Sequence, residues 1–330
     1  MLLLSKLCCT SNLRRVAFQK LPQYTLRRNF AEDVRHTIRK VRSRTIREKI
    51  MAPAGDGAFN IGKGAVAGGA LLGIGALGYY GLGLSNEAGS LEKSVIWPEY
   101  VKERIKSTYM YFGGSLVVTA TSAMAAFRSP VIMSLVTKNG IMGLVISLGA
   151  IMGTGMIARS IPYKEGFGTK QIAWIGHTAT MGALLAPLCF LGGPLLIRAA
   201  WYTAGIVGGL STIAVCAPSD KFLTMGAPLG MGLGVVFASS VASMFLPPTT
   251  ALGAGLYSIS LYGGLLLFSA FMLYDTQRIV AQAEKYPTTP GYYGVAPYDP
   301  INAAMSVYLD TLNIFIRIAT ILAGGGNKRK

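Results

Sequence analysis

The sequence predicts an all-α polytopic membrane protein, and three observations carry that prediction. Hydrophobic residues make up 52% of the 330-residue chain and charged residues only 14%, where a soluble domain carries about a quarter. Apolar windows of about 20 residues, enough to cross a bilayer core as a helix, recur eight times between positions 64 and 323. Forty-one glycines suit such a bundle, because small residues let helix backbones approach closely in lipid.

The windows, in order, are Gly64–Leu84, Tyr109–Phe127, Gly140–Ala158, Gln171–Gly192, Leu195–Ala217, Met225–Leu246, Leu252–Tyr274 and Ile301–Ala323. The eighth carries Asp310 and Arg317 and is the least apolar. Breakers punctuate them: Ser129-Pro130, Ile161-Pro162-Tyr163-Lys164, Gly193-Pro194, Pro218-Ser219-Asp220-Lys221 and Pro247-Pro248. Connections this short leave no room for a soluble catalytic domain. The longer ones are 85–108 and the Tyr/Pro-rich 275–300. Small residues four apart, at Gly64/Gly68, Gly69/Gly73 and Gly226/Gly230/Gly234, predict packing faces. Gly73-x-Gly75-x-x-Gly78 has the spacing of a dinucleotide fingerprint but lies inside an apolar 20-mer with no preceding strand, which excludes that use.

The net charge of +17 is unevenly placed. Residues 1–50 hold thirteen Lys/Arg against three acids, so ten of the seventeen excess charges sit there. No aromatic-interleaved basic patch follows, so nucleic acid is not an expected partner. Residues 1–30 contain Lys6, Arg14, Arg15, Lys20, Arg27 and Arg28 with several hydroxyl residues and no acid, the composition of a mitochondrial transit peptide. A secretory signal is excluded because Lys6 breaks the short Leu2–Leu4 run and the arginines follow it. Arg28-Asn29-Phe30-Ala31 places cleavage after Phe30. A basic matrix arm, 31–63, comes next, with the first span at 64–84 and a loop at 85–108. The tail 324–330 ends in Asn327-Lys328-Arg329-Lys330. An even number of spans returns it to the side of the basic arm, so both termini are expected in the matrix of a protein of the mitochondrial inner membrane.

Chemistry is sparse. Cys8 and Cys9 lie in the leader, while Cys189 and Cys216 lie in apolar runs and read as buried thiols. No Cys/His spacing suggests zinc, no Asn-x-Ser/Thr occurs, and no Ser/His/Asp arrangement or phosphate loop is found, so no cofactor and no enzymatic activity are expected. His177 in the fourth span reads as a packing histidine, with a proton relay as the sharper alternative. Arg159 and Arg198, at span ends, can snorkel to headgroups. Met152 and Met156 read as lipid-compatible packing.

Acids inside a bilayer are another matter, since an Asp at a helix centre costs about 2.5–3.5 kcal/mol to insert. Asp275 ends the seventh apolar run and Asp310 sits within the eighth. Two carboxylates brought together at this depth repel, so they share a proton or accept a cation. Calcium takes about six to eight oxygens, so a two-carboxylate site needs carbonyls, hydroxyls or water and binds with low affinity. The plainer reading pairs each acid with a base, Arg278 one turn from Asp275 or Arg317 two turns from Asp310.

Phe271-Met272-Leu273-Tyr274-Asp275-Thr276-Gln277, with Tyr308-Leu309-Asp310-Thr311-Leu312-Asn313-Ile314-Phe315, resembles the last two helices of the transmembrane Bax inhibitor motif family. The resemblance covers 109–323 and, with the transit segment and the additional first span, points to a mitochondrial member. It implies a seven-helix bundle plus one additional N-terminal transmembrane helix. It also implies that Asp275 and Asp310 form a proton-sensitive pair gating calcium, with Arg159 placed to hold the pair closed. The longer connection between the aspartates and the span 64–84 depart from the shorter members. The expected function is a proton-linked calcium transporter or channel. The alternative is a structural protein that maintains cristae organisation and restrains apoptosis. The expected partners are the lipid bilayer, calcium ions and other inner-membrane proteins.

Overall fold

The computed structural model describes residues 48, 50–55, 57–85, 89–137, 140–218, 220–287 and 297–326. The chain divides into two compact units, 1–50 and 51–330, and the helices belong to the second. The transit segment, its cleavage point, most of the basic arm and the end of the tail lie outside the described residues.

Eight long helices make up the second unit. They are α1 (Gly57–Gly81), α2 (Glu99–Arg128), α3 (Gly140–Ser160), α4 (Thr169–Leu185), α5 (Gly193–Cys216), α6 (Gly226–Phe245), α7 (Ala251–Lys285) and α8 (Pro300–Gly326). Each of the eight apolar windows coincides with one of them. Among the described residues there is no strand, only isolated bridges. Seven helices are long and apolar enough to cross a membrane; in α3 the qualifying apolar stretch is the shorter Val145–Ser160. The chain is therefore an all-α, multi-pass membrane protein in contact with the lipid bilayer.

Two helices, α2 and α7, run well beyond their apolar windows. The segment 85–108 is not one loop, because Pro98 ends an extended turn and α2 begins at Glu99, with a short helix Ser90–Lys93 before it. The stretch after Tyr274 is not the end of a span either. α7 continues for almost three further turns beyond Asp275, to Lys285. At about 1.5 Å per residue its 35 residues run about 52 Å, against about 30 Å of hydrocarbon. The last turns of α7, bearing Arg278, Gln282, Glu284 and Lys285, therefore project toward the headgroups. Within α7 a π turn, Ile259–Gly263, interrupts the α-helical ladder.

The bundle closes on α7 and α8. Leu265, Phe268, Met272 and Ile279 of α7 pack with Val307, Ile314 and Ile318 of α8, and Val101 of α2 and Ala199 of α5 complete the cluster. α4 lies against α2 so tightly that a Cβ on Gly182 would collide with Thr119 and Ser122. Trp174 donates to Ser115 Oγ across the same contact (2.8 Å). Gln277 of α7, 1% exposed, donates to the carbonyls of Ala214 (3.1 Å) and Pro218 (2.7 Å), and accepts from Phe222 N (2.8 Å). One amide thus satisfies the backbone of the α5–α6 turn, which could not otherwise be buried cheaply.

α1 is attached differently. Its N-terminal approach pairs in antiparallel fashion with the α6–α7 connection, Ala54 N to Thr249 O and Ala251 N to Ala52 O, both 2.8 Å. Gly62 admits the ring of Tyr262 and Gly69 the side chain of Leu266, while Gly64, Gly68 and Gly73 meet nothing within 4 Å. Among the described residues the Gly64/Gly68 spacing therefore makes no packing face, whereas Gly69 does.

Candidate functional site

Each carboxylate of the expected pair is placed by its helix. Asp275 and Asp310 face each other across the α7–α8 interface, 6% and 5% exposed, close enough for the two carboxyls to interact. Two carboxyls so placed can share a proton and, when both are ionised, repel. Asp310 Oδ2 is buried and finds no N–H or O–H donor among the described residues. Among those residues no third His, Cys, Asp or Glu joins the pair to make a metal-ligating cluster.

The nearby bases divide into one that approaches and one that does not. Arg278 reaches Asp275 Oδ1 at 3.8 Å, a long contact made by a side chain that is 51% exposed. Arg317 turns away from Asp310. Its guanidinium donates to Ser260 O at the π turn (3.3 Å), to Asn313 O (3.0 Å) and to Asn313 Oδ1 (2.9 Å), and it stacks 4.6 Å over Phe268. The pairing of Arg317 with Asp310 allowed by the spacing is therefore not made, because a nearer set of carbonyl acceptors captures the side chain. Arg159 ends α3, exposed, within electrostatic reach of Asp275 but in no ion pair with it. Arg198 is exposed at the start of α5 and is not among the residues that line the cavity near the pair. His177 is 2% exposed; its Nδ1 bonds Thr154 Oγ1 at 2.9 Å and its Nε2 finds no partner among the described residues.

A cavity of about 470 Å³ opens above the pair, between the ends of α3, α7 and α8. Arg159, Tyr163, Arg278, Gln282, Asp299 and Asn302 line it. Its floor is fixed by Lys170, which no motif singled out. This lysine is 1% exposed and spends its three N–H groups on Asp299 Oδ2 (2.7 Å), Asn302 Oδ1 (2.9 Å) and Ile161 O (2.9 Å). Asp299 in turn caps α8, its Oδ1 accepting from Ile301 N and Asn302 N at 3.0 Å, with Pro300 at the first helical position. Asp299-Pro300 is a legible cap in the sequence; the lysine 129 positions earlier that neutralises it is not.

Across the cavity, Arg104 of α2 donates to the carbonyls of Ala283 (2.8 Å), Tyr286 (2.9 Å) and Pro287 (2.9 Å), covering the C-terminal carbonyls of α7. It also lies 5.4 Å from the centre of the Tyr298 ring. Tyr298 bonds Thr108 at 2.6 Å. Burial pushes its phenol up to about 12, so the hydroxyl stays neutral at physiological pH. Burial and a hydrogen bond with Tyr111 likewise raise Tyr163.

These features define a class: a polytopic helical bundle with a protonatable acid pair set between its last two helices, beneath a basic cavity. The family model described as "Inhibitor of apoptosis-promoting Bax1" matches residues 101–328, from α2 to the tail, and the chain belongs to that family. α1 lies outside the matched region, as an additional helix. Among relatives, the growth hormone-inducible transmembrane protein of Rattus norvegicus is 57% identical over 288 residues, 86% of this chain and 82% of the relative. Bax inhibitor 1 of Drosophila melanogaster is 25% identical over 227 residues, 68% and 83% of the two chains. An uncharacterized protein of Helicobacter pylori is 29% identical over 238 residues, 70% and 90%.

Proposed function

We propose that this chain is a proton-linked calcium transporter or channel of the mitochondrial inner membrane, gated by Asp275 and Asp310. The observation that carries the reading is the juxtaposition of two buried carboxyls, a pair that closes by sharing a proton. Loss of that proton places like charges side by side in low dielectric, where an arriving cation relieves the repulsion. Calcium at the pair takes the two carboxylates and completes its shell from backbone carbonyls, hydroxyls and water, which keeps the affinity low. Arg278 and Arg159 stand at the entrance, so a cation enters when they turn outward. Both termini lie in the matrix in this reading, since a basic N-terminal arm is retained there.

The test is pH-driven calcium flux into liposomes holding the full chain. The double substitution Asp275→Asn with Asp310→Asn abolishes flux, while Arg198→Gln leaves it unchanged. Undiminished flux in the double variant overturns the proposal.

A second reading is favoured by the description of the family and by α1, which the acid pair does not require. In it the protein maintains cristae organisation and restrains apoptosis through other inner-membrane proteins. Removal of 31–84 with residues 1–30 retained separates the two, because altered cristae with intact flux assigns the scaffold role to the first helix and its arm.

A further inference from the structure

The cavity above the aspartates carries more positive charge than its own acids neutralise. Asp299, the acid in its lining, is already bound to Lys170 at 2.7 Å. At the rim, Glu165 adjoins Lys164 in the sequence and offsets it. Below the cavity, Asp275 is the carboxylate that the arginines approach, and a single carboxylate supplies at most one negative charge. Against that single charge stand two guanidiniums, Arg159 and Arg278, both lining the cavity and both within electrostatic reach of Asp275. Arg278 makes only the 3.8 Å contact with Asp275, too long for the paired N–H···O bonds a guanidinium forms with a well-placed carboxylate. Among the described residues, at least one positive charge is left without a counter-ion in a recess at the edge of the hydrocarbon.

The recess also has the form of a binding site. Its volume of about 470 Å³ falls within the range of small-ligand clefts, about 300–1,000 Å³. Gln282 lines it beside the arginines, as do Ser306, which donates to Ala303 O, and Asn302, whose amide holds Lys170 and the carbonyl of Arg159. Planar guanidiniums converging with neutral donors are the chemistry that recognises tetrahedral oxyanions, which accept two parallel bonds from each fork. A carboxylate has two oxygens and engages one such fork well; a phosphate has enough to engage both. The lining walls are fixed, by Lys170 below and by Arg104 at the end of α7, so binding need not order the site first.

We propose that this cavity binds a phosphate-class oxyanion between Arg159 and Arg278, supplied by a lipid headgroup or by free inorganic phosphate. The anion competes with Asp275 for Arg278. Its occupancy draws that side chain outward and away from Asp275, so the cavity reports the local phosphate or anionic-lipid content to the pair beneath it. The site stands on the charge and shape of the cavity, whether or not cations pass the aspartates.

The test uses binding, not flux, so its failure and that of the transport reading are separate. The full chain in phosphatidylcholine nanodiscs is titrated with inorganic phosphate, and a parallel sample with phosphatidic acid in the nanodisc is scored for retained lipid by native mass spectrometry. Saturable phosphate binding that weakens about tenfold or more in Arg159→Gln with Arg278→Gln supports the proposal. So does phosphatidic acid retained by the natural chain and lost from that variant. The first result names free phosphate as the ligand and the second the headgroup. Arg198→Gln leaves either unchanged. If the double variant does not fold, Arg278→Gln alone serves, since that side chain is half exposed. Equal binding in natural and variant proteins, or no binding of either probe, overturns the proposal.

Discussion

α1 and α8 have the same mean hydropathy over their best windows, 1.4, yet none of the α1 window is buried in the protein and 44% of the α8 window is. Leu71 and Leu72 of α1 are 71% and 78% exposed, whereas Ile301, Ala304 and Tyr308 of α8 are fully enclosed. Hydropathy therefore says that a helix enters the membrane but not whether it meets lipid or protein there. The difference lies in the polar residues. α8 carries Asn302, Ser306, Asp310, Thr311, Asn313 and Arg317, and each needs a partner that lipid cannot supply. α1 between Gly64 and Leu77 carries none. In a soluble protein polar residues mark the surface; in this bundle they mark the centre.

The comparison breaks most sharply at the two lysines. Lys170→Met removes the cation that binds Asp299, Asn302 and Ile161 O, and the expected loss is about 3–5 kcal/mol. Lys63→Met on exposed α1 changes stability by less than about 0.5 kcal/mol. Thermal unfolding of both variants in the same detergent measures the gap, and equal melting temperatures would refute the contrast.

The next effect concerns close packing. Gly182→Ala drives a methyl into the backbone of α2 at Thr119, where neither helix can give, and costs about 1–3 kcal/mol. In α1 the same change sorts by face. Gly69→Ala places its Cβ 2.5 Å from Leu266 Cδ2, the end of a side chain that can rotate aside, so the loss stays below about 1 kcal/mol. Gly73→Ala meets nothing within 4 Å and raises stability by up to about 1 kcal/mol through helix propensity. A chemical-denaturation series of the three ranks the helix faces independently of any structure.

The element positions were legible because apolar windows and Pro/Gly punctuation both act locally. Helix ends were less so. α2 reaches back to Glu99 and α7 on to Lys285 because polar turns continue a helix once its apolar part is docked, and hydropathy does not see them. In the candidate site the two aspartates stood out as acids in apolar runs, and the structure brings them together. Lys170 and Arg104 did not stand out, since a lysine after a Gly-rich turn and an arginine among mixed charges look solvated. Their roles depend on helices that return from far along the chain, Asp299 for one and Ala283 for the other. Arg317 was ambiguous for the same reason. Spacing along α8 offered Asp310, but the π turn of α7 supplied a carbonyl that no one-dimensional pattern contains.

Gly264 and Arg317 occupy one volume between them. A Cβ at position 264 would overlap the guanidinium, so the missing methyl of the glycine is the socket in which the arginine lies. Such a pair is a lock in the genetic sense. Gly264→Ala alone evicts a charge into a bundle interior, and Arg317→Met alone leaves the Ser260 and Asn313 acceptors facing an apolar side chain. The two changes made together remove both the obstruction and the charge, so the double mutant is milder than the single changes sum to. Sequences that drift at one of these positions are held to a path that passes through the other.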